Sequence, residues 1–200
     1  MIVLNLDISS KTGYCVSESA KGHYKILERG VLSKKEKPSI QYPGDYLAWS
    51  KDIASDIISL IDRVSPHTIC VEETAKGSKD AHSQKILEWV HKEVAAHLFT
   101  LMRSRETNVL YLMTGEWRQM VGCIMTKEEK KKNQAVSKQR KKGIKVAKDD
   151  TGKRIGKTTK KHVNIRRVKE LFDIDLKVKD NDIADAILLN YAAHLRITGE

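Results

Sequence analysis

From Lys127 to Lys161 the chain carries fifteen Lys and Arg against four acids, and almost no large hydrophobic side chains. A stretch of that make-up cannot bury enough apolar surface to form a core of its own. Whatever core exists must come from the other 165 of the 200 residues. The stretch nets +11, the formal net charge of the whole chain, because the remainder carries 22 basic and 22 acidic groups. Such segregation reads as a polyanion-binding element set on a neutral domain, with a solubilising charged loop as the plainer alternative. The stretch contains no aromatic residue and is punctuated by Gly143, Gly152 and Gly156. It is therefore expected to contact phosphates rather than stack on bases, and to be mobile until nucleic acid binds. Its candidate DNA contacts are Lys130, Lys131, Lys132, Lys141, Lys142, Lys153, Arg154, Lys157, Lys160 and Lys161.

Two hundred residues suffice for one well-cored domain and not comfortably for two. The expectation is a single domain over residues 1–200, with a basic insertion at 123–159. No run approaches the ~20 apolar residues that cross a bilayer, so no membrane partner is expected. Met1 to Asp7 has no basic lead, and an acid interrupts its apolar run, so it does not read as a secretion signal. A cytoplasmic protein is expected. Cys15, Cys70 and Cys123 lie far apart without paired spacing, which argues against disulfides and zinc and for small buried hydrophobes.

Within the neutral part, Ile2 to Asp7 reads as a short buried strand ending on an acid. Ser9 to Gly13 turns, Tyr14-Cys15-Val16 resumes the apolar run, and Tyr24 to Leu32 follows as an edge strand, completing a meander. A helix begins at Gly44-Asp45 with Leu47, Ile53, Ile57, Leu60, Ile61 and Val64 inward. Thr68 to Val71 is a second buried strand that hands over to acids, Glu72 and Glu73. Ala81 to Met102 is a long amphipathic helix, and Asn108 to Met113 a fifth strand. Thr114 is placed to cap a short helix through Trp117 and Met120. Val163 to Phe172 and Asn181 to about Leu195 are helical. The fold class is α/β: a mixed five-stranded sheet, three antiparallel strands and then parallel ones, flanked by helices.

In a sheet with parallel strands, functional groups converge at the carboxyl ends of adjacent strands. Asp7 and Glu72 occupy two such ends. On the last helix, Asn181-Asp182-Ile183-Ala184-Asp185-Ala186-Ile187 sets two carboxylates at i, i+3, on one face. An ordinary N-terminal turn is the alternative for that pair, since the helix dipole favours acids there. If the strands are neighbours and the helix crosses them, Asp7, Glu72, Asp182 and Asp185 meet. Such a cluster is scarcely tolerable without cations, and hard oxygen ligands suit Mg²⁺ or Mn²⁺ better than zinc. Two ions about 4 Å apart would activate a water and stabilise the leaving oxygen of a phosphodiester.

Three segments together resemble a known family. Leu4-Asn5-Leu6-Asp7-Ile8-Ser9-Ser10-Lys11-Thr12-Gly13-Tyr14, Ile69-Cys70-Val71-Glu72-Glu73 and Asp182-Ile183-Ala184-Asp185-Ala186-Ile187 are similar, in order and spacing, to the acidic motifs of RuvC-type Holliday junction resolvases. The phage and poxvirus members are nearer in character than the bacterial ones. The resemblance implies an RNase H-like fold, a homodimer, and paired symmetric nicks across a four-way DNA junction with two Mg²⁺ or Mn²⁺ ions per site and no small-molecule cofactor. By position, Asp7, Glu72, Asp182 and Asp185 would be both the catalytic residues and the metal ligands. Glu73 stands where the bacterial enzymes have a neutral residue and is expected either to stand behind the metal ligands or to face solvent. Ala75 stands where they place an aromatic that stacks on a junction base. In a phage, the activity would serve recombination, replication or packaging.

Arg118 and the pair Arg166-Arg167 are further candidate phosphate contacts, and Trp117 is expected in the core. His162, beside the basic run, reads as a surface residue. Two other functions remain open on these residues: an RNase H-like nuclease of forks, flaps or RNA/DNA hybrids, and a branched-DNA-binding module whose acids are incidental. Asp7 to Gly13 also resembles the first phosphate loop of sugar kinases, but the chain is short for two such lobes and lacks a second glycine-rich loop.

Overall fold

The computed structural model describes residues 1–34, 41–73, 81–104, 107–142 and 156–200. The strand β1 (Ile2–Asp7) pairs on both edges. On one side it runs antiparallel to β2 (Lys11–Ala20), which runs antiparallel to β3 (His23–Ser33). On the other it runs parallel to β4 (Thr68–Glu73), which is parallel to β5 (Asn108–Met113). The sheet order is β3-β2-β1-β4-β5, the mixed sheet expected. β2 is longer than its apolar run suggests and carries a register irregularity between Val16 and Ser17.

The helices α1 (Gly44–Val64) and α2 (Ala81–Ser104) cover one face, where Ile53, Ile57 and Ile61 meet Val90, Val94 and Leu98 over Leu4, Leu6, Ile69 and Val71. Leu47, expected inward, is 39% exposed. It lies in the first turn of α1, a turn before the helix begins to bury residues at Ser50. A short α3 (Thr114–Met120) follows β5 and buries Trp117 completely. The last helix, α6 (Asn181–Thr198), buries Ala184, Ala186, Ile187, Leu188, Leu189, Ala192 and Ala193, and the four alanines among them allow close approach. Cys15 and Cys70 are buried free thiols, and burial pushes the Cys15 thiol up to about 12. Among the described residues no helix is long and apolar enough to cross a membrane.

Two compact units are present, Met1–Val121 with Asp182–Glu200, and Gly122–Asn181. The second unit contains α4 (Lys127–Lys141) and α5 (Lys160–Phe172). Much of the stretch expected to be mobile is thus helical. Lys, Glu, Gln, Ala and Arg are good helix formers, and Thr126 and Glu129 close a capping box: the Thr126 N–H donates to Glu129 Oε2 at 2.8 Å and the Glu129 N–H to Thr126 Oγ1 at 3.2 Å. Polar contacts replace the missing core. Asn133 donates to the Thr158 carbonyl and accepts from the Thr158 N–H, each at 2.8 Å, Glu129 pairs with Arg166, and Val136 is buried. His162 belongs to the capping box at the start of α5, its Nδ1 2.7 Å from Thr159 Oγ1.

Candidate functional site

Strand periodicity decides where the acids point. On β1, Leu4 and Leu6 enter the core beneath α1 and α2, so Val3, Asn5 and Asp7 face the opposite way. On β4, Ile69 and Val71 are the core residues, so Cys70 and Glu72 share the face of Asp7. Leu6 pairs with Val71, which sets Asp7 and Glu72 side by side at the carboxyl ends of two parallel strands.

The helix α6 is brought to the same place by a missing side chain. Gly13 pairs with Asp7 in the sheet. A Cβ on Gly13 would stand 2.2 Å from the Asp182 carbonyl oxygen and 3.3 Å from the Ala186 Cβ. Further along α6, the Asn190 amide donates to the carbonyls of Val3 at 3.3 Å and Cys15 at 3.0 Å, and its Oδ1 accepts from the Tyr24 hydroxyl at 2.9 Å. His194 Nδ1 lies 2.8 Å from Ser19 Oγ. These contacts pin the helix across β1, β2 and β3.

The four expected acids therefore share one field. The Asp7 carboxyl is held well above the usual carboxylate range, first by burial, then by the charge of Glu72 and of Asp185, by a hydrogen bond to Glu72, and by the charge of Asp182. Neighbouring groups hold two of the others. The Thr114 hydroxyl donates to Glu72 Oε1. The Arg118 guanidinium lies 3.8 Å from Asp185 Oδ2 and 4.9 Å from the centroid of the Trp117 ring, with both Arg118 and Asp185 largely buried. With Glu72 turned to Thr114 and Asp185 to Arg118, the described residues contain no cluster of three or more His, Cys, Asp or Glu side chains already arranged as a metal cage. The donors nevertheless fit a hard divalent cation, since four carboxylate groups converge and burial, together with the charge of the other three, drives one of them toward its neutral form. Glu73 is exposed.

Of the basic candidates, Arg118 stands at the acids. Lys130, Lys131, Lys132 and Lys141 are exposed on α4, Lys142 just beyond it, Lys157 before α5, and Lys160 and Lys161 in its first turn. Lys153, Arg154 and Ala75 lie outside the described residues. Arg166 and Arg167 are ion-paired, Arg166 with Glu129 and Glu170, Arg167 with Glu170 at 3.0 Å.

Sequence reasoning missed three contributors. Thr114 was expected to cap α3, but the cap position falls on Met113, and the Thr114 hydroxyl turns to Glu72 instead. Gly13 read as a turn residue, yet it lies within β2 beneath α6. His91 of α2 lies near the backbone of Ile8, the residue after Asp7, and burial pushes its imidazole below the usual range. Nothing local in the sequence marks His91, because its partner is 83 positions away.

No family model matches the chain, and no curated relative does. Among solved structures, T. thermophilus RuvC in complex with a Holliday junction substrate matches with a TM-score of 0.62 and 13% identity, over 98% of this chain and 96% of that one. The yeast mitochondrial Holliday junction resolvase Ydc2 matches with a TM-score of 0.53 and 16% identity, over 98% of this chain and 80% of that one. Fowlpox virus resolvase, with its substrate Holliday junction DNA, gives 0.50 and 13%, over 98% and 99%. The fold of this chain is the RNase H-like fold of RuvC-type resolvases.

Proposed function

We propose that a chain with this fold and this carboxylate cluster is a metal-dependent endonuclease that makes paired symmetric nicks in four-way DNA junctions. One observation carries the reading: Asp7, Glu72, Asp182 and Asp185, drawn from two strands and a helix far apart in sequence, lie close enough to shift the Asp7 carboxyl together. Strand-end acids with capping duties would have no reason to converge in this way.

Asp7, Glu72, Asp182 and Asp185 would hold two Mg²⁺ ions, with Mn²⁺ as a substitute. Bound there, the ions would lower the pKa of an attacking water and stabilise the leaving oxygen of the phosphodiester. The protein's own part is to keep the acids in register through the β1–β4 pairing and the Gly13 contact, and to hold the Arg118 guanidinium beside Asp185, where it can meet a phosphate oxygen. The Thr114 hydroxyl steadies one oxygen of Glu72. The lysines of residues 123–159, with Lys160 and Lys161, would grip the DNA backbone through phosphate contacts and released counterions. Paired nicks require two sites, so the working form is a homodimer on branched duplex DNA. The setting would be a phage-infected bacterial cytoplasm, serving recombination, replication or packaging.

The test is cleavage of a synthetic four-way junction beside linear duplex, fork, flap and RNA/DNA hybrid of matched sequence, with Mg²⁺ and with chelator. Symmetric nicks in the junction alone, and only with metal, are expected. Cutting of forks, flaps or hybrids in place of junctions would keep the site and change the substrate. Binding without cutting under any metal would make the chain a branched-DNA-binding module.

A further inference from the structure

The lysines of α4 gather on one side of it. Counted at about 100° per residue, Lys127, Lys130, Lys131, Lys138 and Lys141 lie within an arc of about 100°, and a sixth residue, Gln134, falls near the middle of that arc. All six are exposed. Neither acid of the helix belongs to the arc: Glu128 lies to one side, and Glu129 is turned to Arg166. The opposite side holds α4 in place, through Glu129, the Asn133 amide on the Thr158 backbone and the buried Val136. A hollow lined by Asn133, Gln134, Ser137, Lys138 and Lys141 lies beside the arc, so among the described residues Gln134 borders open space.

A helix face this basic binds a polyanion, and its dimensions choose which one. An α-helix with its side chains is about 10–12 Å across, and the major groove of B-form DNA is about 12 Å wide. The major groove of duplex RNA is too narrow and deep for side chains to read. The 15 residues of α4 span about 22 Å. Seated in the DNA groove, the helix would bring the long side chains at the edges of its arc to the phosphates of both strands, Lys130 and Lys141 on one flank, Lys131 and Lys138 on the other. The shorter side chain between them would stand over the floor of the groove, where the base edges lie.

We infer that α4 enters the major groove of a duplex arm and that Gln134 reads an adenine there, its amide accepting from N6 and donating to N7. The inference rests on the proposed function as a nuclease of branched DNA. Glutamine offers one acceptor and two donors at the end of its side chain, and adenine presents the matching donor and acceptor in this groove. Lysines can only fix the helix on the backbone, because every sequence carries the same phosphates. The one uncharged residue among them is therefore the one able to discriminate. The helix is already capped by Thr126 and Glu129 and clamped at Asn133, so little conformational freedom is lost when it docks.

The experiment selects bound four-way junctions from a pool with randomised arms, with chelator present so that none is cut, and titrates the enriched arms. Wild type should enrich an A·T pair at one position of an arm. Gln134→Ala should lose that enrichment, the affinity ratio between arms with and without the pair falling by about 5- to 150-fold. Alanine is the best helix former, so α4 persists in that variant. Gln134→Arg should move the preference to G·C, since a guanidinium matches the two acceptors of guanine, and a merely structural glutamine could not give that result. Lys138→Gln should weaken binding to all arms alike and keep the preference. A preference that survives Gln134→Ala, or that stays on A·T in Gln134→Arg, overturns the proposal. A wild type that neither binds nor cuts junctions removes the nuclease reading and this one together. A wild type that cuts junctions with metal yet binds arms of every sequence alike removes this one alone, leaving the lysines as a phosphate grip.

Discussion

Gly13→Ala tests how the site is assembled. The added methyl would stand 2.2 Å from the Asp182 carbonyl oxygen, where ordinary van der Waals contact begins at 3.4 Å, so about 1.2 Å of room has to be found. The obstacle is backbone and cannot swing aside as a side chain would. Either the first turn of α6 lifts or β2 bends, and both separate Asp182 and Asp185 from Asp7. Overpacking of this kind costs about 1–3 kcal/mol of stability. A misplacement near 1 Å at a catalytic group lowers the rate by about 100-fold. Denaturant melts give the first quantity, and single-turnover cleavage of a four-way junction gives the second. Gly115→Ala is the control, because nothing lies within 4 Å of its added methyl, and it should leave both near wild type. A Gly13→Ala protein of wild-type stability and rate would refute the view that this glycine sets the position of α6. A destabilised protein of unchanged rate would show that the acids are held in register by something else.

Asp7→Asn and Asp182→Asn should each abolish cleavage while leaving junction binding intact, as gel shifts beside cleavage assays would show. Because burial and the neighbouring acids raise the Asp7 carboxyl in the folded state, the native protein holds that proton more tightly than the unfolded chain. Metal-free stability should therefore fall as pH rises from about 4, the unfolded carboxylate value, through the raised folded value. Asp7→Asn should flatten that slope and raise the metal-free melting temperature at neutral pH; a slope unchanged by the substitution would count against the convergence of the acids. Mg²⁺ at a hundred times its dissociation constant should stabilise wild type by about 2.7 kcal/mol and Asp7→Asn by less, read as shifts in thermal melts. Arg118→Ala should lower kcat by about 100-fold, the loss typical of one preorganised donor at a reacting centre, with a smaller change in KM. Replacing Lys130, Lys131 and Lys132 with Gln should weaken binding to all DNAs and reduce the slope of log affinity against log salt by about 0.9 for each phosphate that is no longer neutralised.

The sheet and its four acids were legible because both are written in local periodicity. Leu4 and Leu6 alternate with Asn5 and Asp7, Ile69 and Val71 alternate with Cys70 and Glu72, and Asp182 and Asp185 are spaced one turn apart, so strand, face and helix follow from short segments. What stayed hidden depends on partners remote in the chain. Thr114 offers the same hydroxyl to a helix cap as to Glu72, and only the pairing of β4 with β5 decides between them. Gly13 has the look of a turn residue until α6, some 170 positions later, comes down on it. The helix α4 is a different case. Thr126 and Glu129 are a capping-box pair visible in the sequence, but a stretch this dense in lysine carries no apolar periodicity to mark a helix.

The single amide of Asn190 ties the last helix to carbonyls on the first two strands. Synthesis proceeds from the amino end, so the sheet strands leave the ribosome long before that helix does. A nascent chain, or one cut short ahead of α6, carries Asp7 and Glu72 without Asp182 and Asp185. It has half of its charge cluster. On the proposed function, the capacity to break DNA would thus arise as a late event in the life of each molecule, after the fold is complete, rather than as a property that grows gradually with chain length.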